Sequence, residues 1–213
     1  QIPPLLYICI AEGRGDGIAV QRRARKEEGT AAKMSHTCHR AAASHNGGLV
    51  KAGKKGTIHV SAKAMNVTWA NDARFWKWIR LPKNELPEAF SKDDTSFDTA
   101  AELIQVNWLE ARGSVALGEH KPGRYEIIYH VRFKVDAFGW SKSPVTFEVI
   151  TPGGDRRKKS VMLEPYRRRS DEWHEIHGGE LETTGTVEFA MSQVASHGWK
   201  GGMILGGVSL RPK

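Results

Sequence analysis

Cysteine is almost absent from this chain: among 213 residues only Cys9 and Cys38 carry a thiol, and both precede Thr57. Everything from Thr57 onward therefore folds without disulfide staples, which fits a reducing compartment such as cytosol or nucleus. No run of eighteen apolar residues occurs, so a transmembrane helix is excluded and no membrane partner is expected. No segment repeats at a fixed period, which argues against propellers and solenoids. Catalytic signatures are missing as well. There is no nucleophile elbow, and "GGMILGG" near the C-terminus lacks the GK[ST] ending and the following helix of a phosphate loop. His36, Cys38 and His39 are too few and too closely spaced for a zinc site, so no metal or cofactor is expected.

Tryptophan is missing from the first 56 residues, which are rich in Gly, Ala and Arg and show no sustained periodicity. This composition predicts a disordered extension over residues 1–56, followed by one domain over 57–213. The opening "IPPLLYICIA" is a short apolar stretch with no basic residues before it and Glu12 and Asp16 soon after, so no secretory signal is expected. Met34 begins a plausible start, which makes residues 1–33 an expected upstream artefact; native peptides from before Met34 would refute this.

From Thr57 the pattern turns to short runs of period two. In "RYEIIYHVRFKV", Tyr125, Ile127, Tyr129, Val131, Phe133 and Val135 share one face, and Glu126, Ile128, His130, Arg132 and Lys134 the other. Shorter alternations in "TIHVSA", "MNVTW", "PVTFEVI", "SVMLEP", "WHEI", "TVEFAMSQV" and "MILGGVSLRP" are separated by turn signals such as "TPGGD", "IHGGE" and "SHGWKGG". Eight to ten strands follow, with a helical flavour only in "FDTAAELIQ". The expected fold class is all-β: a jelly-roll-like β-sandwich of two antiparallel sheets.

The stretch "VTWANDARFWKWIR" concentrates three of the seven tryptophans beside Asn71, Asp72, Arg74, Lys77 and Arg80. A core wants indole without that company, whereas a ligand site of flat apolar faces with polar edges wants both. "ANDAR" reads as a loop flanked by Trp69 and Trp76, with both rings expected to face solvent. Trp108, Trp140, Trp173 and Trp199 are expected to be buried or to pack turns. Two ligands suit such a platform: a pyranose, which has one apolar face and a rim of hydroxyls, or a single-stranded base, whose phosphates the net charge of +8 would attract.

The motifs "NVTWANDARFWKWIRL", "AAELIQVNWLEARGSV", "PGRYEIIYHVRFK", "DAFGW", "SVMLEP", "DEWHEIHGGEL" and "GWKGGMILGGVSLRPK" together resemble the phloem protein 2 (Nictaba-like) family of plant lectins, over about residues 57–213. The resemblance implies a non-enzymatic, metal-free lectin that binds N-acetylglucosamine oligomers and the cores of N-linked glycans. It also implies a cytoplasmic and nuclear location, or phloem sap, a homodimer, and RNA as a further partner. The family's two binding tryptophans, seven residues apart, correspond to Trp69 and Trp76. Phe75 stands where the family often has tyrosine. Arg74, Lys77 and Glu175 are added here as polar rim groups because hydroxyls need directed partners. Arg156, Arg157, Lys158 and Lys159 occupy the place of a lysine-rich nuclear address and form an expected nucleic-acid patch, although such a run more often reads as a solvated loop.

Two rival readings stay open. A glycoside hydrolase would draw on Glu110, Glu126, Glu148, Glu164 or Glu175, but no pair stands out. An RNA-binding protein would use the basic run and treat the tryptophans as base platforms.

Overall fold

The computed structural model describes residues 49–90, 97–117, 123–194 and 198–213. Expectations about residues 1–48, including the start at Met34 and both cysteines, lie outside these. Among the described residues twelve strands occur: β1 (Val50–Ala52), β2 (Ile58–Ser61), β3 (Asn66–Val67), β4 (Trp76–Arg80), β5 (Thr99–Leu103), β6 (Leu109–Ala116), β7 (Gly123–Phe138), β8 (Val145–Ile150), β9 (Arg156–Val161), β10 (Trp173–Thr183), β11 (Thr186–Gln193) and β12 (Gly201–Pro212). One helical turn, α1, spans Glu164–Arg167. No helix among the described residues is long and apolar enough to cross a membrane.

The strands form two antiparallel sheets packed as a sandwich. The first is built around β12, which pairs with β7 on one side and with β2 and β5 on the other; β1, β4 and β10 extend it outward. The second runs β3-β6-β11-β8-β9. The alternation in β7 sets the core: Ile127, Tyr129, Val131 and Phe133 point inward and are fully buried. The Tyr129 ring meets Phe147 of β8 at 4.9 Å and Phe189 of β11 at 6.3 Å, so aromatic contacts join the two sheets.

The outer face of the first sheet is itself covered. Leu81 and Leu86 from the β4–β5 connection pack on Ala100 and Ile204, with Trp173 and Ile79 at the margin. Phe90 and Phe97 lie against the His59 ring at 5.5 and 6.2 Å, and Phe90 against His130 at 4.8 Å. Beneath them His59 Nδ1 and His130 Nε2 each lie within hydrogen-bond reach of Ser209 Oγ, at 2.8 and 2.7 Å. One hydroxyl carries one proton, so it donates to one imidazole and accepts from the other. Burial, together with the Arg211 charge, lowers both imidazole pKa values, and His130 is pushed down to about 3.

This cover accounts for two departures from the sequence expectation. Residues of "FDTAAELIQ" form strand β5 rather than a helix: Ala100 is buried on the outer side and Ala101 and Leu103 in the core, which removes the period-two signal. In β12, residues 201–210 are buried on both faces for the same reason. At Gly207, φ is +148° and a Cβ would stand 2.3 Å from the Val60 carbonyl oxygen, so only glycine allows β2 this close. The "IHGGE" turn signal is instead a bulge inside the continuous β10, where the register with β7 shifts between His177 and Gly179. β1 lies within the segment assigned to the extension and pairs with β2.

Candidate ligand-binding rim

Loop 68–75 leaves the short β3 in the second sheet and enters β4 in the first, so it crosses one end of the sandwich. A sequence of tight turns shapes it. The Ala70 amide donates to the Val67 carbonyl, Asp72 to Trp69, and both Phe75 and Trp76 to Asp72. Asp72 also receives the Arg74 backbone amide at 3.0 Å and the Arg74 guanidinium through Nη2 at 2.6 Å and Nε at 3.0 and 3.1 Å. Those hydrogen bonds hold the exposed Asp72 carboxyl below its usual range. The loop is anchored where the Thr68 amide donates to the Glu110 carbonyl and the Ile104 amide donates to the Phe75 carbonyl.

Trp69 sits in the left-handed region at φ 64°, which is unusual for a bulky side chain and stores strain. The residue is 39% exposed and its ring rests on Phe75 at 5.1 Å between centroids, with the Arg74 guanidinium 5.4 Å from the Phe75 ring centroid. Trp69, Phe75 and Arg74 thus form one solvent-facing stack with a charged edge. Lys77 is exposed two residues farther along, opposite Glu102 of β5.

Two expected site residues stand elsewhere. Trp76 is only 2% exposed: as the first residue of β4, opposite Leu103, it points between the sheets and joins the core. The sequence places it at the solvent-facing end of the "ANDAR" loop, in a stretch where indole and cation stand side by side. The mixture arises because β4 is an edge strand: Trp78, on the same inward side as Trp76, stands at the margin of the sandwich and is 37% exposed. Glu175 lies on β10 and pairs with Arg211 at 2.9 and 3.0 Å. Four strand spacings across the first sheet, roughly 19 Å, separate β10 from β4, so Glu175 does not reach the loop.

The expectation that four further tryptophans are buried or pack turns holds in part. Trp140 is buried, its indole N–H donating to the Gly201 carbonyl at 2.9 Å. Trp173 packs on the outer cover and donates to the Glu85 carbonyl at 2.7 Å. Trp108 and Trp199 are instead 38% and 50% exposed at the same end of the sandwich as loop 68–75. Trp108 donates its indole N–H to Glu110 Oε2 at 3.3 Å, and Glu110 also accepts from Arg112 Nε at 2.7 Å. Their position next to the Asn107 and Gly198 turn residues was the only sequence signal for exposure.

The basic run is not a loop. It forms β9, the edge of the second sheet, with Arg156, Arg157, Lys158 and Lys159 all exposed. Arg156 and Lys158 approach the buried Glu148 at 3.3 and 3.5 Å, and Arg157 donates to the Glu180 carbonyl. Cations along a free edge also oppose pairing with another strand.

The five carboxylates that could serve a hydrolase are each engaged by cations or histidine: Glu110 by Arg112, Glu126 by His177, Glu148 by Arg156 and Lys158, Glu164 by Arg167 and Arg168, Glu175 by Arg211. The Arg167 and Arg168 hydrogen bonds lower the Glu164 pKa, the opposite of what a proton-donating acid requires. Among the described residues no group of three or more His, Cys, Asp or Glu side chains is arranged to hold a metal ion.

The described residues thus form a cysteine-free antiparallel β-sandwich with a strained aromatic loop at one end. The chain belongs to the phloem protein 2 family, whose model matches residues 55–212. It is 30% identical over 161 residues to the Arabidopsis thaliana protein named Phloem protein 2-like A1, covering 71% of this chain and 60% of that one. It is 31% identical over 162 residues to the Arabidopsis immune-associated nucleotide-binding protein 10, covering 72% of this chain and 33% of the relative. A lectin of Luffa acutangula is 28% identical over 158 residues, covering 71% and 68%. The chain thus spans only part of the first relatives it matches. Among solved structures, a family 35 carbohydrate-binding module from Clostridium thermocellum overlays with a TM-score of 0.44 at 12% identity, covering 72% of this chain and 96% of the module.

Proposed function

We propose that this chain is a non-catalytic lectin that binds N-acetylglucosamine oligomers and the cores of N-linked glycans on the Trp69 loop. Trp69 is the observation that carries this reading: an indole kept in a strained backbone conformation, open to solvent, stacked on Phe75 and edged by the locked Asp72–Arg74 pair. Strain of this kind persists where the surroundings enforce it and is concentrated at ligand clamps. The apolar face of the sugar stacks on the indole, while Asp72, Arg74 and Asn71 offer acceptors and donors to hydroxyl and acetamido groups. Membership of the phloem protein 2 family and the similarity to a Luffa lectin support the reading, and the engagement of all five carboxylates supports a non-enzymatic role. Glycoproteins carrying such glycans are the partners, with the protein acting as a homodimer in cytoplasm, nucleus or phloem sap. Titration with chitotriose tests it: the wild type should quench or shift its tryptophan fluorescence, with little sensitivity to moderate salt. A protein whose fluorescence chitotriose leaves unchanged is not this lectin.

RNA binding is the second reading, favoured by the four exposed cations on β9. It predicts RNA affinity that falls steeply with added salt and ignores chitotriose.

A further inference from the structure

On the first-sheet side of the same rim, a second aromatic group stands apart from Trp69. The Val106 and Lys200 backbones exchange both hydrogen bonds at 2.9 Å, an isolated antiparallel bridge that ties the β5–β6 connection to the segment leading into β12. That register sets Trp199 opposite Asn107 and Gly201 opposite Gln105. Val106 and Lys200 are buried, whereas Gln105, Asn107 and Trp199 are exposed. Gly201 also pairs with Phe138, which is 43% exposed, and a Cβ at Gly201 would meet the Phe138 ring at 2.8 Å and the Ile104 carbonyl oxygen at 2.1 Å. Gly139, at φ +84°, would meet the Trp199 carbonyl oxygen at 2.1 Å. The Phe138 ring thus lies over Gly201, two residues from Trp199 along the same bridged segment, and both glycine positions leave no room for a side chain. Opposite Trp199 and Gly201 on that bridge stand the two exposed amides Asn107 and Gln105.

This group and the Trp69 stack share a floor. The Ile104 amide bonds to the Phe75 carbonyl on one side, and Gln105 begins the bridged segment on the other. From β4 to β7, through β5 and β12, are three strand spacings, roughly 14 Å. One pyranose ring does not bridge that span, whereas a short oligosaccharide does.

We propose that Trp199, Phe138, Gln105 and Asn107 form a distal saccharide subsite that gives the rim a preference for longer oligosaccharides. The ligand class follows from the surface: flat aromatic faces for the apolar side of a pyranose, side-chain amides for its hydroxyls. The inference rests on the lectin reading and deepens it. Isothermal titration of the full chain with chitobiose, chitotriose and chitohexaose tests both. The wild type should bind chitohexaose about tenfold or more tightly than chitobiose, the scale of one added stacked ring. Trp199→Ala should keep the chitobiose affinity and lose that gain, and Asn107→Ala should lose part of it. Should Trp199→Ala fail to fold, as judged by near-ultraviolet circular dichroism, Asn107→Ala and Gln105→Ala carry the test. Variants that match the wild type at every length overturn the distal subsite and leave the lectin intact. A wild type that binds none of the three overturns both.

Discussion

Trp69 and Trp76 are chemically identical and seven residues apart, yet the fold gives them opposite duties. Trp76 opens an edge strand and fills core volume, so Trp76→Ala should cost about 3–5 kcal/mol of stability. Thermal unfolding should then shift down by on the order of 10 °C. Trp69 lies open on a left-handed residue. Trp69→Ala should weaken chitotriose binding by about 1–3 kcal/mol, with a small change in melting temperature. Trp69→Gly should weaken binding by a similar amount, about 1–3 kcal/mol, with an almost unchanged melting temperature, because relief of backbone strain offsets the extra freedom gained by the unfolded chain. A large loss of stability in either Trp69 variant would mark this ring as structural.

At the scale of elements, alternation made β7 legible because one of its faces meets the core along most of its length. It hid β5 and blurred β12 because both are covered on two sides, and a strand buried on both faces has no pattern to show. The loop that carries the candidate site was legible for a different reason: "ANDAR" brings turn residues and charge next to indole, and neither belongs in a core. The exposure of Trp199 was not legible, since it depends on a bridge between residues 106 and 200 that no local pattern encodes. The basic run illustrates the same limit. Four consecutive cations look like a loop, yet β8 supplies the ladder partner and Glu148 the counter-charge. Replacing Arg156, Arg157, Lys158 and Lys159 by threonine should leave chitotriose binding intact and raise light scattering on warming, as the edge of β9 loses its repulsion. On the RNA reading, the same variant loses RNA affinity in a filter-binding assay.

For the molecule as a whole, the buried His59–Ser209–His130 cluster links stability to acidity. Both imidazoles are depressed in the folded state, so the unfolded chain binds more protons below its ordinary histidine pKa of roughly 6.5. Stability is therefore full above that value and falls as the pH drops from there toward about 3, where His130 itself takes up a proton. Melting temperatures measured from pH 7 to pH 4 should decline, and His130→Gln should flatten the decline even if its starting stability is lower. The cluster also lies against β12, whose partners β2, β5 and β7 all precede it in sequence. A ribosome-bound chain that has not yet released Gly201–Pro212 must hold those three strands without the ribbon that joins them, their hydrogen-bonding edges bare. Synthesis of this protein thus passes through an interval in which those edges stand open, and β12 closes it by sliding between them.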